Sequence, residues 1–408
     1  MPEFDSVIRS TRTVVPEGIR SASVGVRDGR IESVRPYSAR MSAHEVVDLG
    51  DTALLPGAID LGTGVHAPGK DLPASYQRVS TSALRGGVTC VVVSPAPGRP
   101  AITCADSLQV HQRAAAGAEV SVLFLGGVTE GTSPLDLADL HAGGVVAFQG
   151  SLSDGGAPDM AALGDARLRK AMAEIAALNG LLLMHAEDAR ELGTPPVSAE
   201  QRPPRAERRG LERVIAAARV VGARTHVAPF TAAECAALLA AAGAVGVGLT
   251  AHTCPHYLCL PSEFPGPGSP AHACRPPLRS DANRKALWSS LLEPDSPILT
   301  VGSGHLPAIG LYTLEWSLPA LWTAARRRGR SLSDLARWTA RAPAELLGLG
   351  GRGRVQEGYD ADLVAFEDQT TLAVPDSDPS PYAGMRLTGR VRRTWVAGRP
   401  TLSDSHQP

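Results

Sequence analysis

Lysine is scarce in this sequence, aromatic side chains are few, and no two cysteines stand at the C-x-x-C spacing. Among 408 residues the only lysines are Lys70, Lys170 and Lys285, and the formal net charge is -1. A chain without a basic excess gathers little of the counterion-release energy that drives nucleic-acid binding, so a nucleic-acid partner is excluded. The one basic run, Arg326-Arg327-Arg328-Gly329-Arg330, reads as a solvated helix end, where cations are favoured. Six scattered cysteines in a chain too long to need disulfide staples read as reduced thiols of a cytoplasmic protein, with Cys90 and Cys104 as core fillers. No apolar run reaches about 18 residues, and the N-terminus lacks a basic start followed by an apolar core, so neither a membrane span nor export is expected.

What is present is order. The first fifty residues read as short alternating strands, with Asp28-Gly29 as a hairpin turn. From Leu54 the pattern changes to buried apolar runs separated by amphipathic stretches. Eight such runs fall at residues 54–60, 88–94, 120–125, 145–149, 181–185, 225–228, 246–250 and 298–302. Helical patterns at 206–221, 232–242 and 281–292 lie between them. Eight units over about 250 residues is the count of a (β/α)₈ TIM barrel. A doubly wound open sheet is the alternative, but no G-x-G-x-x-G marks a strand-to-helix turn. After a helical stretch at 332–347, strand-like segments return at 358–364 and 389–398, so both termini are expected to join in one small β-sandwich. The expected domains are 1–52 with 353–408 for the sandwich and 53–352 for the barrel.

Several strings carry a family resemblance: PGAID at 56–60, GGVTCVVV at 86–93, MHAED at 184–188, RPPRAE at 202–207, HTCPHYL at 252–258, PPLRSDANRKALW at 276–288 and GYDADLV at 358–364. Together they resemble the cyclic amidohydrolases, most of all those of allantoinase type, with dihydroorotase and hydantoinase as cousins. The resemblance implies a (β/α)₈ barrel with a composite β-sandwich, and hydrolytic opening of a cyclic amide or ureide. It also implies two divalent metals at the barrel mouth, held by four histidines, a carboxylated lysine and an aspartate. Such metals activate a bridging water and polarise the scissile carbonyl.

Those positions fall here on Gly62, Gly64, Gln149, His185, Pro229 and Gly304. Only His185 keeps the implied side chain, so no metal and no other cofactor is expected. The three glycines are expected to widen the pocket, and Gln149 to fill a polar hollow without needing a cation. The loop at 306–309 after the last strand looks short, which implies a differently roofed pocket. His66, His226 and Pro229 complete the candidate pocket, and His185 and His305 are the candidate acid–base pair. A rewired metal site drawing on His66, His185, His226, His252 and His305 with Glu187, Asp188 or Cys254 is the lesser alternative. His256 reads as packed beneath the rim, and Asp60 and Asp188 as framework.

Three functional readings follow. In the first, the protein binds a small ureide or cyclic amide and transforms it without metal, by ring closure, dehydration or isomerisation. In the second it is a silent scaffold or regulatory subunit for a partner enzyme, as degenerate dihydroorotase relatives are for a transcarbamoylase. The third is an atypical allantoinase. The resemblance further implies a homo-oligomer, dimer or tetramer.

Overall fold

The computed structural model describes residues 2–66, 69–154, 160–193, 201–266 and 268–401. Both ends of the chain build one eight-stranded, mainly antiparallel sheet, and the middle builds a parallel one.

The terminal sheet begins with β1 (Phe4–Val15), β2 (Gly18–Arg27), β3 (Arg30–Pro36), β4 (Ala43–Asp48) and β5 (Ala53–Pro56). After the barrel the chain returns to it, and β5 pairs antiparallel with residues 363–366. Ile8, Val24, Val26, Ile31 and Leu54 pack there against Leu363, Ala365 and Trp395 in a core of their own. The turn at 360–362 is a charge clasp. Arg352 bridges Asp360 and Asp362, and Asp362 accepts from the Ala397 amide.

The barrel starts with β6 (Ala58–Thr63) and α1 (Leu72–Arg85), then β7 (Val88–Val93) and α2 (Ala105–Ala114). It continues through β8 (Ser121–Gly127), α3 (Pro134–Ala142), β9 (Ala147–Ser151), α4 (Asp165–Ala177), β10 (Leu181–His185) and α5 (Pro204–Val221). The last units are β11 (Arg224–Val227), α6 (Ala236–Ala244), β12 (Leu249–Thr253), α7 (Pro255–Cys259), α8 (Asp281–Leu292), β13 (Ile298–Val301) and α9 (Leu314–Arg326). Strands β6 to β13 pair in sequence order, each parallel to the next. Successive side chains alternate between the two faces: Cys90 and Val92 of β7 join the barrel interior, while Val91 and Val93 pack toward the helices. The expected barrel with a β domain drawn from both termini is the fold observed. Helices α10 (Leu332–Ala336) and α11 (Ala342–Leu347) then lead back to β14 (Leu363–Ala373), β15 (Arg386–Val396) and β16 (Arg399–Thr401) of the terminal sheet.

Three expected strands moved. The apolar run at 54–60 is two strands, split at Gly57, whose Cβ would sit 2.3 Å from the Thr89 side chain and whose amide donates to Asp362. Its first half belongs to the terminal sheet and only the second half to the barrel. The run at 145–149 becomes β9 at Ala147–Ser151, because the Val145 amide still closes the end of α3 by donating to Leu140. Strand β12 begins three residues later than expected, after Gly246 takes a left-handed φ of 80°.

The seam between β6 and β13 is closed by side chains. Asp60, buried in the middle of β6, accepts from the Thr63 and Ser303 hydroxyls at 2.6 and 2.7 Å and from the Ser303 amide. Burial raises the Asp60 carboxyl above its usual range, and the three donors only partly offset it. Asp60 is thus framework, and so is Asp188, which caps a short 3₁₀ turn and pairs with Arg213. The basic run does end α9: Arg326 bonds to Gln369, and Arg328 lies over the Trp288 ring. Cys90 is buried, but Cys104 is only half-buried and stands at the N-cap of α2, so it is not the core filler expected. Among the described residues, no helix is long and apolar enough to cross a membrane.

Candidate functional site

The C-terminal ends of the barrel strands enclose a cavity of about 120 Å³. One wall is β10. It ends on His185, the last residue of the strand, whose Nε2 lies 3.0 Å from Glu187 Oε2. Glu187 is fully buried, and its other neighbour is Arg202, a side chain only 3% exposed that holds both carboxylate oxygens. Burial pulls the Glu187 carboxyl upward. The hydrogen bond and charge of His185, followed by Arg202, outweigh that pull and leave it below its ordinary value. The anchored carboxylate fixes the Nε2–H tautomer of His185 and leaves Nδ1 without a partner among the described residues.

Next to this wall, Gln149 of β9 accepts from the Ser94 hydroxyl at 3.1 Å, and its amide N–H groups have no partner among the described residues. The floor is a neutral network: the Thr300 hydroxyl meets His252 Nδ1 at 2.8 Å and His226 Nε2 at 3.0 Å, and His226 Nδ1 meets Thr250. His252 and His256 are pushed down to about 3 by burial, His256 also by His252. Burial and then Asp60 hold the Cys254 thiol well above its usual range, so Cys254 is no thiolate nucleophile. Leu306 and Leu311, paired across the short loop after β13, form the roof.

The structure gathers Gly62, Gln149, His185, Pro229 and Gly304 on this cavity and leaves Gly64, His66, His226 and His305 off it. His226 lies fully buried within the floor network and does not line the cavity. His66 is half-buried on the segment after β6 and lines no part of the cavity. His305 faces the opposite side, onto a broad groove shared with Val65, Lys70, Arg78 and Tyr312. Its Nδ1 accepts from the Thr313 amide, and burial lowers it to about 3. It therefore does not pair with His185. The chain turns at Gly304, with φ 65°, and sends the next side chain away from the cavity.

The glycines also differ from expectation. Only Gly62 opens space, since the nearest atom to a Cβ there is 3.7 Å away. At Gly64 a Cβ would meet Leu306 at 2.9 Å, and its amide donates to the His305 carbonyl. At Gly304 it would meet His256 at 2.7 Å and Cys254 at 2.8 Å. These two glycines let segments approach rather than widen a pocket. Gly304→Ala is expected to cost about 2–4 kcal/mol, from the left-handed backbone and the clash together. Urea unfolding midpoints of the two proteins measure it.

At the positions where the resemblance implies metal ligands, the described side chains do not make a donor set for two metals. Glycine and proline offer no side-chain ligand, the Gln149 amide is neutral, and the ring nitrogens of His226 are both engaged by threonine hydroxyls. Among the described residues, no three His, Cys, Asp or Glu side chains converge on one point.

The amidohydrolase family model matches residues 49–401. The chain belongs to the amidohydrolase family. Allantoinase of Streptomyces avermitilis is 36% identical, over 99% of this chain and 97% of its own. Allantoinase of Rubrobacter xylanophilus is 31% identical, over 98% and 94%. Among solved structures, L-hydantoinase (dihydropyrimidinase) from Arthrobacter aurescens superposes with a TM-score of 0.90 at 24% identity, covering 98% of this chain and 96% of that one. The chain thus resembles allantoinases in sequence and shares the fold of the hydantoinase.

Two residues of the site escaped the sequence reading. Arg202 opens the RPPRAE string and Arg275 precedes Pro276-Pro277, both inside or beside stretches that carried the resemblance. An arginine in a strand-end loop of a lysine-poor chain was the available signal.

Proposed function

We propose that this amidohydrolase holds a small ureide or cyclic amide in the barrel-mouth cavity and transforms it without the two-metal route, using His185 as its acid–base group. The observation that carries this reading is the Arg202–Glu187–His185 relay on the cavity wall, beside positions that lack metal-binding side chains. The allantoinase relatives supply the ligand class. Buried Glu187 orients the imidazole, and Nδ1 takes or gives the proton at the ligand. Gln149 offers its N–H groups to a ligand carbonyl. Without metal activation of water, ring closure, dehydration or isomerisation asks less of the site than amide hydrolysis does.

The test is turnover of a panel of cyclic ureides and their open-chain acids, with and without chelator, alongside metal analysis of the purified protein. Turnover is expected to be indifferent to chelator, and His185→Ala is expected to lower kcat by about 10²–10⁴-fold. Full activity in His185→Ala, or loss of activity on chelation with two metals bound, would overturn the reading. The latter result would make the protein an atypical allantoinase.

A further inference from the structure

One cation on the cavity wall has no ion-pair partner among the described residues. Arg275 lines the cavity, half-buried, with Nη1 donating to the carbonyls of His272 at 3.0 Å and Cys274 at 2.9 Å. Those bonds aim the guanidinium without neutralising it. Other arginines in this part of the barrel are paired: Arg202 with Glu187, Arg279 with Glu207, Arg213 with Asp165 and Asp188. Among the described residues, no carboxylate lies within ion-pair distance of Arg275. Glu187 is already committed to Arg202 and His185. The one acid among the described lining residues, Asp154, is exposed. Burial, and after it the charge of Arg202, lowers the Arg275 pKa, and the charge of Glu187 only partly offsets them. His256 adds an orphan to the same lining, because its buried Nδ1 has no partner.

We propose that the cavity takes a ligand bearing a carboxylate, and that the Arg275 guanidinium receives it. This rests on the preceding functional reading and narrows its ligand class. Opening or closing a cyclic amide interconverts a neutral ring with a chain that ends in a carboxylate. A cation poised on the wall recognises the open-chain side, a ureido acid, while Gln149 and His185 meet its amide end. The arginine fork matches carboxylate geometry and forms charge-assisted bonds, strongest where water is excluded.

The probes are N-carbamoylglycine, its neutral ring hydantoin, and inorganic phosphate, titrated calorimetrically into the full-length protein. N-carbamoylglycine is expected to bind at least 10-fold more tightly than hydantoin. Arg275→Gln is expected to weaken the acid by about 10- to 100-fold while changing hydantoin less than 2-fold, and Arg275→Lys to retain part of the affinity. The unliganded Tm of Arg275→Gln is expected to equal or exceed that of the parent, because an unpaired cation is removed. Equal losses for acid and ring, or phosphate binding as tightly as the acid, would overturn the assignment. Hydantoin binding without the acid would overturn it and leave the cavity reading standing. Binding of none of the probes, in a protein with parental Tm, would sink both.

Discussion

Glu187→Ala is expected to cost about 3–5 kcal/mol of folding free energy, the size seen when one partner of a buried ion pair is deleted. Glu187 is fully buried and the Arg202 side chain is 3% exposed, so the orphaned guanidinium has no water to turn to. The same deletion frees the His185 ring, whose only hydrogen bond among the described residues is to Glu187. Stability and ligand handling should therefore fall together. Glu187→Gln keeps the shape and a hydrogen bond but leaves Arg202 without a counter-charge, so an intermediate loss is expected. Replacing both members by apolar groups, Glu187→Leu with Arg202→Met, should recover most of the stability while leaving His185 unanchored. Urea denaturation midpoints with matched m-values read the first effect, and kcat reads the second. A loss below 1 kcal/mol in Glu187→Ala would mean that Arg202 swings out to solvent and the relay is not rigid.

The barrel was legible because its strands are apolar runs short enough to be strands, set at helix-sized intervals, and this pattern survives whatever the mouth contains. Residues 54–60 were misread for a physical reason. They form one continuous apolar run, and what divides them is the absence of room for a Cβ at Gly57 against Thr89, together with a bond to Asp362 from the far end of the chain. Neither contact has a local signature. The candidate site was legible in part. His185 follows directly from its place at the end of a buried strand, and Glu187 from being its neighbour. Arg202 reaches Glu187 from 15 residues away, and spacing through a loop predicts no distance.

Glycine was the most ambiguous letter. At Gly62 it means open space, at Gly64 and Gly304 it means close approach, and the sequence writes all three alike. The resemblance puts His305 at the barrel mouth, directly after the Gly304 position. A single left-handed residue at Gly304 reverses that inference, since it sets which way the next side chain leaves the barrel. The buried charge arrangement around Arg275 was equally hidden. It depends on which acids are already taken, and that is a property of the whole mouth.

Acidification from pH 7.5 to 5.5 is expected to lower the folding free energy by at least about 4 kcal/mol, a large part of the stability of an ordinary domain. His252, His256 and His305 are each pushed down to about 3 by burial, against an ordinary value near 6.5 in the unfolded chain. Above about pH 6.5 both states carry these rings neutral and nothing is lost. Between about 6.5 and 3 the unfolded chain binds protons that the folded chain refuses, so stability declines as pH falls, by about 1.4 kcal/mol per ring per pH unit. The contacts agree with neutral rings: His305 Nδ1 accepts an amide proton, and His252 shares the Thr300 hydroxyl with His226, itself held well below its usual value by burial. Asp60 works the other way. Its raised carboxyl favours the fold as pH falls toward its unfolded value near 4, which flattens the acid half of the profile. Denaturant titrations at pH 7.5, 6.5 and 5.5 measure the slope, and a flat profile would show that these histidines take up protons in the folded state. His256→Leu isolates one ring. It removes a buried imidazole whose Nδ1 has no partner, so the variant should be no less stable at pH 5.5 than the parent, with one ring's share of the pH dependence gone.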